Sequence, residues 1–202
     1  MDWSLLHTMN DYLFRHDAIE DPLLFYINAS EALFIATLAV VFLAARAPRY
    51  TAWRRAAVAA VLSAGFALLM AKLISEIVDR PRPFVVDPHG VHLFSAHAAD
   101  AGFPSDHATA AFAIATAIVL RKRGWGIFAL VAAAVLSVGR VALGVHYPSD
   151  VLAGAALGAA AALLLWAPPA RSKIDALADF AGRCWDRLLD RGAGYIGFAR
   201  RL

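Results

Sequence analysis

The chain of 202 residues is 60% hydrophobic and only 17% charged, with a formal net charge of +3. A soluble domain of this size is typically about half apolar and a quarter charged, and the excess here is gathered in blocks, which points to membrane spans rather than an oversized core. The single cysteine, Cys184, excludes an intrachain disulfide and a multi-cysteine metal site.

Residues 3–15 place Trp3, Leu5, Leu6, Met9, Tyr12, Leu13 and Phe14 at near-helical spacing. The segment is too short and polar to span, and reads as an amphipathic helix lying at the membrane interface. It lacks a basic stretch followed by an apolar run, so it does not read as a cleaved signal peptide. A hydrocarbon core of about 30 Å needs about 20 mostly apolar helical residues. Five segments answer to that description: 24–45, 55–78, 105–121, 125–143 and 150–168, the third being short. No open sheet could satisfy its backbone in lipid, so the expected fold class is all-α, a polytopic bundle of about five transmembrane helices. Small-residue runs such as AAVAA and AGAALGAAAA would let helix backbones approach closely. Residues 1–168 form the expected membrane domain, and the basic amphipathic tail at 169–202 is expected to cover one end of it.

Loop charge sets the expected topology. Arg46, Arg49, Arg54 and Arg55, then Arg121, Lys122 and Arg123, fall on one side together with the basic tail. By the positive-inside rule that side is cytoplasmic, and the clustering speaks of topology rather than of nucleic acid. The other side receives the N-terminal segment, the long 79–104 loop and the 144–149 turn.

On that second side four helix ends meet. The tripeptide PSD opens two apolar runs, in GFPSDHATAAF and in GVHYPSDVLAG. DRPRPF ends the second span and GRVALGVH the fourth. Arg82, Ser105, His107, Arg140, His146 and Asp150 are thereby expected to converge. Two guanidiniums and a helix N-terminus suit a phosphate group, because the planar fork matches its oxygens in pairs and free backbone N–H groups add a positive field. Two histidines supply more than binding requires: one to attack phosphorus, the other to protonate the departing oxygen. Asp150 follows His146 by four residues and is expected to accept from one imidazole nitrogen, leaving the other free to attack. Taken singly, each residue has an ordinary use as a cap, an interface group or a snorkelling side chain; six at one level of a bundle do not.

In this order and spacing the residues resemble the type-2 phosphatidic acid phosphatase superfamily, whose motifs read K-x6-RP, PSGH and SR-x5-H-x3-D. Here the third is GRVALGVHYPSD, with Arg140, His146 and Asp150; the second is Pro104-Ser105-Asp106-His107; the first ends in Arg82-Pro83-Phe84. The resemblance spans residues 72–150. It implies a phosphohistidine on His146 supported by Asp150, His107 as the acid, and Arg82, Ser105 and Arg140 around the phosphoryl oxygens, with no metal and no cofactor. The chain departs from the pattern in three places. Asp106 replaces a glycine, as in the undecaprenyl-diphosphatase branch. Gly139 replaces a serine, which removes one hydrogen bond. The motif lysine is displaced: Ser75 stands at its position, while Lys72 lies a turn deeper, with Glu76 as partner or phosphate as ligand. An alternative first motif runs through Arg80-Pro81.

The expected substrate is a lipid phosphate drawn from the outer leaflet, with undecaprenyl diphosphate favoured over phosphatidylglycerophosphate, phosphatidic acid or lipid A. Two other readings stand beside it. His89, His92, His97 and Asp100 in the long loop could ligate a divalent ion, although histidines and carboxylates at irregular loop spacing are usually just solvated. Or the arginines could merely bind phosphate in a transporter or lipid binder, a reading that leaves the His–Asp pair without a use. The sequence leaves the oligomeric state open.

Overall fold

The computed structural model describes residues 2–199, with side chains through residue 191. All of its regular elements are helical. A short α1 (Asp2–Phe14) is followed by α2 (Asp17–Ala44), a 3-10 turn (Pro48–Tyr50), and α3 (Thr51–Val78). A one-turn α4 (Pro83–Val86) leads into the long loop, then α5 (Asp106–Val119), α6 (Arg123–Ala142), α7 (Pro148–Trp166) and α8 (Pro168–Ala199).

Four of these helices, α2, α3, α6 and α7, are long and apolar enough to cross a membrane. The fifth expected span is shorter than the sequence suggested. At 14 residues α5 covers about 21 Å. It is the innermost helix, packed against α3, α6 and α7 with most of its residues buried, so protein rather than lipid surrounds it. Its closeness to α7 depends on two glycines. A Cβ at Gly154 would lie 2.6 Å from the Ser105 carbonyl oxygen, and one at Gly158 would overlap the backbone of Thr109. The small-residue runs thus bring the openings of α5 and α7 together, and the Ser105 amide donates to the Asp150 carbonyl at 3.1 Å.

The two ends of the bundle differ. At one end, α1 lies across the helix ends and buries Leu6, Asn10 and Leu13. It is therefore packed onto protein along one face. Asn10 donates to the carbonyls of His92 and Ala142 and accepts from the His92 amide, which ties α1 to the long loop and to α6. At the other end α8 clasps the loops. Arg54, buried, makes a two-pronged pair with Asp186, Arg55 does the same with Asp179, and Arg121 reaches Asp175. The basic loops read as topology signals are also the anchor of the tail.

Candidate active site

Local rules bring the site residues to one end of the bundle. Helix α3 stops at Asp79, whose φ of 40° turns the chain, and the proline-spaced segment that follows delivers Arg80 and Arg82. Ser105 is the N-cap of α5, with its side chain facing the Ala108 amide. Between α6 and α7 the chain reverses at Gly144, with φ 75°, a conformation that favours glycine. A Cβ there would also press on Val91 and the His92 carbonyl. The turn presents His146, which is fully buried.

The imidazole of His146 is held on both sides. Its Nδ1 lies 3.0 Å from the carbonyl oxygen of Gly102. A carbonyl only accepts, so Nδ1 carries the proton and Nε2 keeps its lone pair. Nε2 faces Arg82 Nη1 at 3.1 Å and Arg140 Nη2 at 3.5 Å. Burial, then the charges of Arg140 and Arg82, push the His146 pKa well below the ordinary 6.5, so the ring is neutral. A neutral imidazole with its free nitrogen between two guanidiniums is the form a nucleophile needs at a phosphate site.

The arginines are themselves positioned. Arg82 donates through Nε to Asp100 at 2.9 Å and through Nη1 to the Val145 carbonyl at 3.1 Å. Arg140 donates through Nη2 to His97 Nε2 at 2.8 Å, and its buried Nε has no hydrogen-bond partner among the described residues. His107, in the first turn of α5, stands among Arg82, His97, Arg140 and His146.

Asp150 differs from its expected placement. Its carboxylate is 3.7 Å from His146 Nδ1, beyond hydrogen-bond range, while Gly102 supplies the acceptor. Asp150 instead accepts from the Tyr147 amide and from Arg80 Nη1, each at 2.8 Å. The reason is local. As the third residue of α7, its side chain folds back on the amide before the helix, as in a capping box. Arg80 also donates to Ser149 Oγ at 2.7 Å and to Asp2 at 3.2 Å, and it stacks on the Tyr147 ring. Asp2 is drawn into this network. Burial works to raise its pKa, but the bonds from Ser149 and Arg80 outweigh that and hold the carboxyl below its usual range.

Lys72 does not join the cluster. It pairs with Glu76 at 3.7 Å on the flank of α3, both side chains largely exposed, because four-residue helical spacing puts them side by side. Of the two partners that the sequence offered Lys72, Glu76 is the one it meets here. Asp106 is exposed at the start of α5, so no unpaired acid is buried beside the arginines. Gly139 faces Ile27 and Leu23 of α2, so a side chain there would meet α2.

Three of the side chains in the metal reading have protein partners. His92 stacks on Phe14, His97 meets Arg140 and Asp100 meets Arg82. No cluster of three or more such groups suited to a metal ion occurs among the described residues. Sequence reasoning missed Gly102, Asp2, the pairing of Arg80 with Asp150 and the role of His97 at Arg140. Only the proline-spaced arginines and the histidine-rich loop hinted at them.

The PAP2 superfamily matches residues 56–173 of the chain. Undecaprenyl-diphosphatase BcrC of Bacillus subtilis (strain 168) is 34% identical over 140 residues, covering 69% of this chain and 70% of that protein. A lipid A 1-phosphatase of Rhizobium johnstonii is 37% identical over 102 residues, covering 49% of this chain and 42% of that one. Among solved structures, Aquifex aeolicus LpxE aligns with a TM-score of 0.62 at 22% identity, covering 81% of this chain and 93% of that one. The phosphatidylglycerolphosphate phosphatase of Bacillus subtilis aligns at 0.55 and 20% identity, covering 81% and 83%. These two likenesses concern the fold; the family match spans more than half of the chain and includes every residue of the cluster around His146, so the chain belongs to the PAP2 superfamily and is an integral membrane phosphatase.

Proposed function

We propose that the protein hydrolyses undecaprenyl diphosphate to undecaprenyl phosphate and inorganic phosphate through a phosphohistidine on His146. The observation that carries this reading is the geometry of His146: Nδ1 tied to the Gly102 carbonyl and Nε2 set between Arg82 and Arg140. When the terminal phosphate enters, the two guanidiniums turn their N–H groups to its oxygens and release Nε2. Nε2 attacks phosphorus, the P–O bond to the lipid phosphate breaks, and His107, which takes up a proton from solvent once the bound phosphate offsets the charge of the arginines, gives that proton to the departing oxygen. Water then attacks the phosphohistidine, His107 takes the water's proton, and inorganic phosphate leaves with His146 neutral again. Ser105 and the first amides of α5 add to the phosphate cradle. Asp150 acts through the turn that it shares with Tyr147.

The undecaprenyl-diphosphatase relatives and the Pro-Ser-Asp-His form of the second motif support the diphosphate. The lipid A 1-phosphatase relatives support a second reading, the 1-phosphate of lipid A. The site end faces away from the cytoplasm and the α8 end faces it, as the basic loops indicate. The test is phosphate release in detergent with EDTA present, from both lipids, for wild type and His146→Ala. Release from undecaprenyl diphosphate by wild type alone supports the proposal. Release from lipid A alone moves the substrate, and loss of activity in EDTA removes the metal-free mechanism.

A further inference from the structure

The segment before the second motif touches the site at four points. His97 accepts from Arg140, Asp100 accepts from Arg82, the Gly102 carbonyl accepts from His146, and the Gly102 amide donates to the Arg80 carbonyl at 2.8 Å. Three of these contacts hold backbone or side chains in place. The first, from His97, puts a titratable ring directly on the arginine whose buried Nε has no partner among the described residues.

We propose that His97 is a phosphate-binding residue of this site, an acceptor to Arg140 as seen here and a donor to a phosphoryl oxygen once a phosphate group lies on the arginines. This rests on the phosphatase reading above and adds a third histidine to it. Half-buried His97 faces Arg140 from α6, Arg82 and the Phe84 ring from the α4 segment, Asp100 from its own loop, His107 from α5 and His146 from the turn before α7. Burial and the charge of Arg82, with a smaller push from Arg140, hold its pKa below 6.5 and keep the ring neutral. A phosphate anion on the two guanidiniums offsets their charge, which favours protonation of the ring. Nε2, 2.8 Å from Arg140 Nη2, then shares its ligand with that arginine. Phosphate binding at this site therefore takes up a proton on His97. The Asp100–Arg82 pair, 2.9 Å long, pins the loop that carries the ring.

The test is titration calorimetry of inorganic phosphate into the full-length protein in detergent from pH 5.5 to 8, for wild type, His97→Ala and His97→Gln, beside their KM and kcat on undecaprenyl diphosphate. The expected result is a Kd and KM weakened roughly tenfold in His97→Ala, from loss of a hydrogen bond to a charged group, with kcat changed far less. His97→Gln keeps a donor that does not titrate, so its affinity falls less steeply with rising pH than that of wild type. Phosphate binding in His97→Ala within twofold of wild type, or a His97→Gln profile with the wild-type slope, overturns the inference. The phosphate titration needs no turnover. Wild type that binds phosphate through His97 but cleaves no lipid phosphate sinks the proposed function and leaves His97 in place.

Discussion

Nδ1 of His146 donates its hydrogen bond to the backbone carbonyl of Gly102, 3.0 Å away. A backbone acceptor cannot be titrated or deleted by a side-chain change. The tautomer that leaves Nε2 free to attack is thus set by the path of the loop rather than by a carboxylate.

His146→Gln is expected to lower turnover of a lipid phosphate by more than about 10⁴-fold, since the proposed nucleophile itself is gone. Rapid quench into alkaline detergent, with substrate radiolabelled in its terminal phosphate, reads the same point directly. Wild type accumulates an acid-labile, base-stable phosphoprotein, and the variant does not.

The acid limb of kcat/KM should lie well below pH 6.5, because His146 must be neutral to attack and its pKa is pushed down by burial, Arg140 and Arg82. Arg140→Gln removes one of the two charges, so the limb moves toward higher pH, alongside a loss of overall rate. The same depression has a stability sign. The unfolded state protonates His146 first as pH falls, so this stabilisation is full above pH 6.5 and is lost on acidification toward the folded value. A pH–rate series on both proteins checks the first point and thermal melts check the second.

Arg80 and Asp150 are expected to act as one unit. Arg80→Ala leaves the fully buried Asp150 carboxylate with the Tyr147 amide alone. Breaking a fully buried pair costs about 3–5 kcal/mol. Arg80 is partly exposed, so about 2 kcal/mol is the reasonable loss here. Activity falls with it, by roughly tenfold or more, as the turn that carries His146 loosens. The double variant Arg80→Ala/Asp150→Asn should be little worse than either single one. Strictly additive losses would mean that the two residues work separately.

Lys72→Ala should change kcat/KM by less than about fivefold, because its partner is Glu76 and exposed pairs contribute little. Arg82→Ala should cost at least about 100-fold, for loss of a charge on the transferring phosphoryl group. A large effect at Lys72 would return the displaced motif lysine to the phosphate.

Asp186→Ala, at the far end of the bundle, leaves the buried Arg54 guanidinium with only the Phe42 carbonyl as acceptor among the described residues. A melting temperature several degrees lower with unchanged KM is expected, from loss of about 2 kcal/mol. A changed KM with unchanged melting temperature would mean that α8 communicates with the site.

What could be determined without the fold is what local pattern controls. Apolar blocks of membrane length specify helices, because every backbone group must be satisfied inside its own segment. Hence the ends of α2, α3, α6 and α7 were legible to within a few residues at most termini, and the ordered spacing of Arg82, Ser105, His107, Arg140, His146 and Asp150 was enough to expect a phosphate site at one end of the bundle. The start of α2 at Asp17 and the shortness of α5 were less so, since they depend on what packs beside them. Only the tertiary structure could decide which acceptor His146 meets. Spacing of four residues offered Asp150, but a capping contact with Tyr147 and a cross-chain pair with Arg80 claimed that carboxylate, and a loop 44 residues away supplied Gly102 instead. The same holds for His97 on Arg140, Asp2 on Arg80 and α8 on the basic loops. Hydrogen-bond partners distant in sequence are chosen by packing, and packing is a property of the whole bundle.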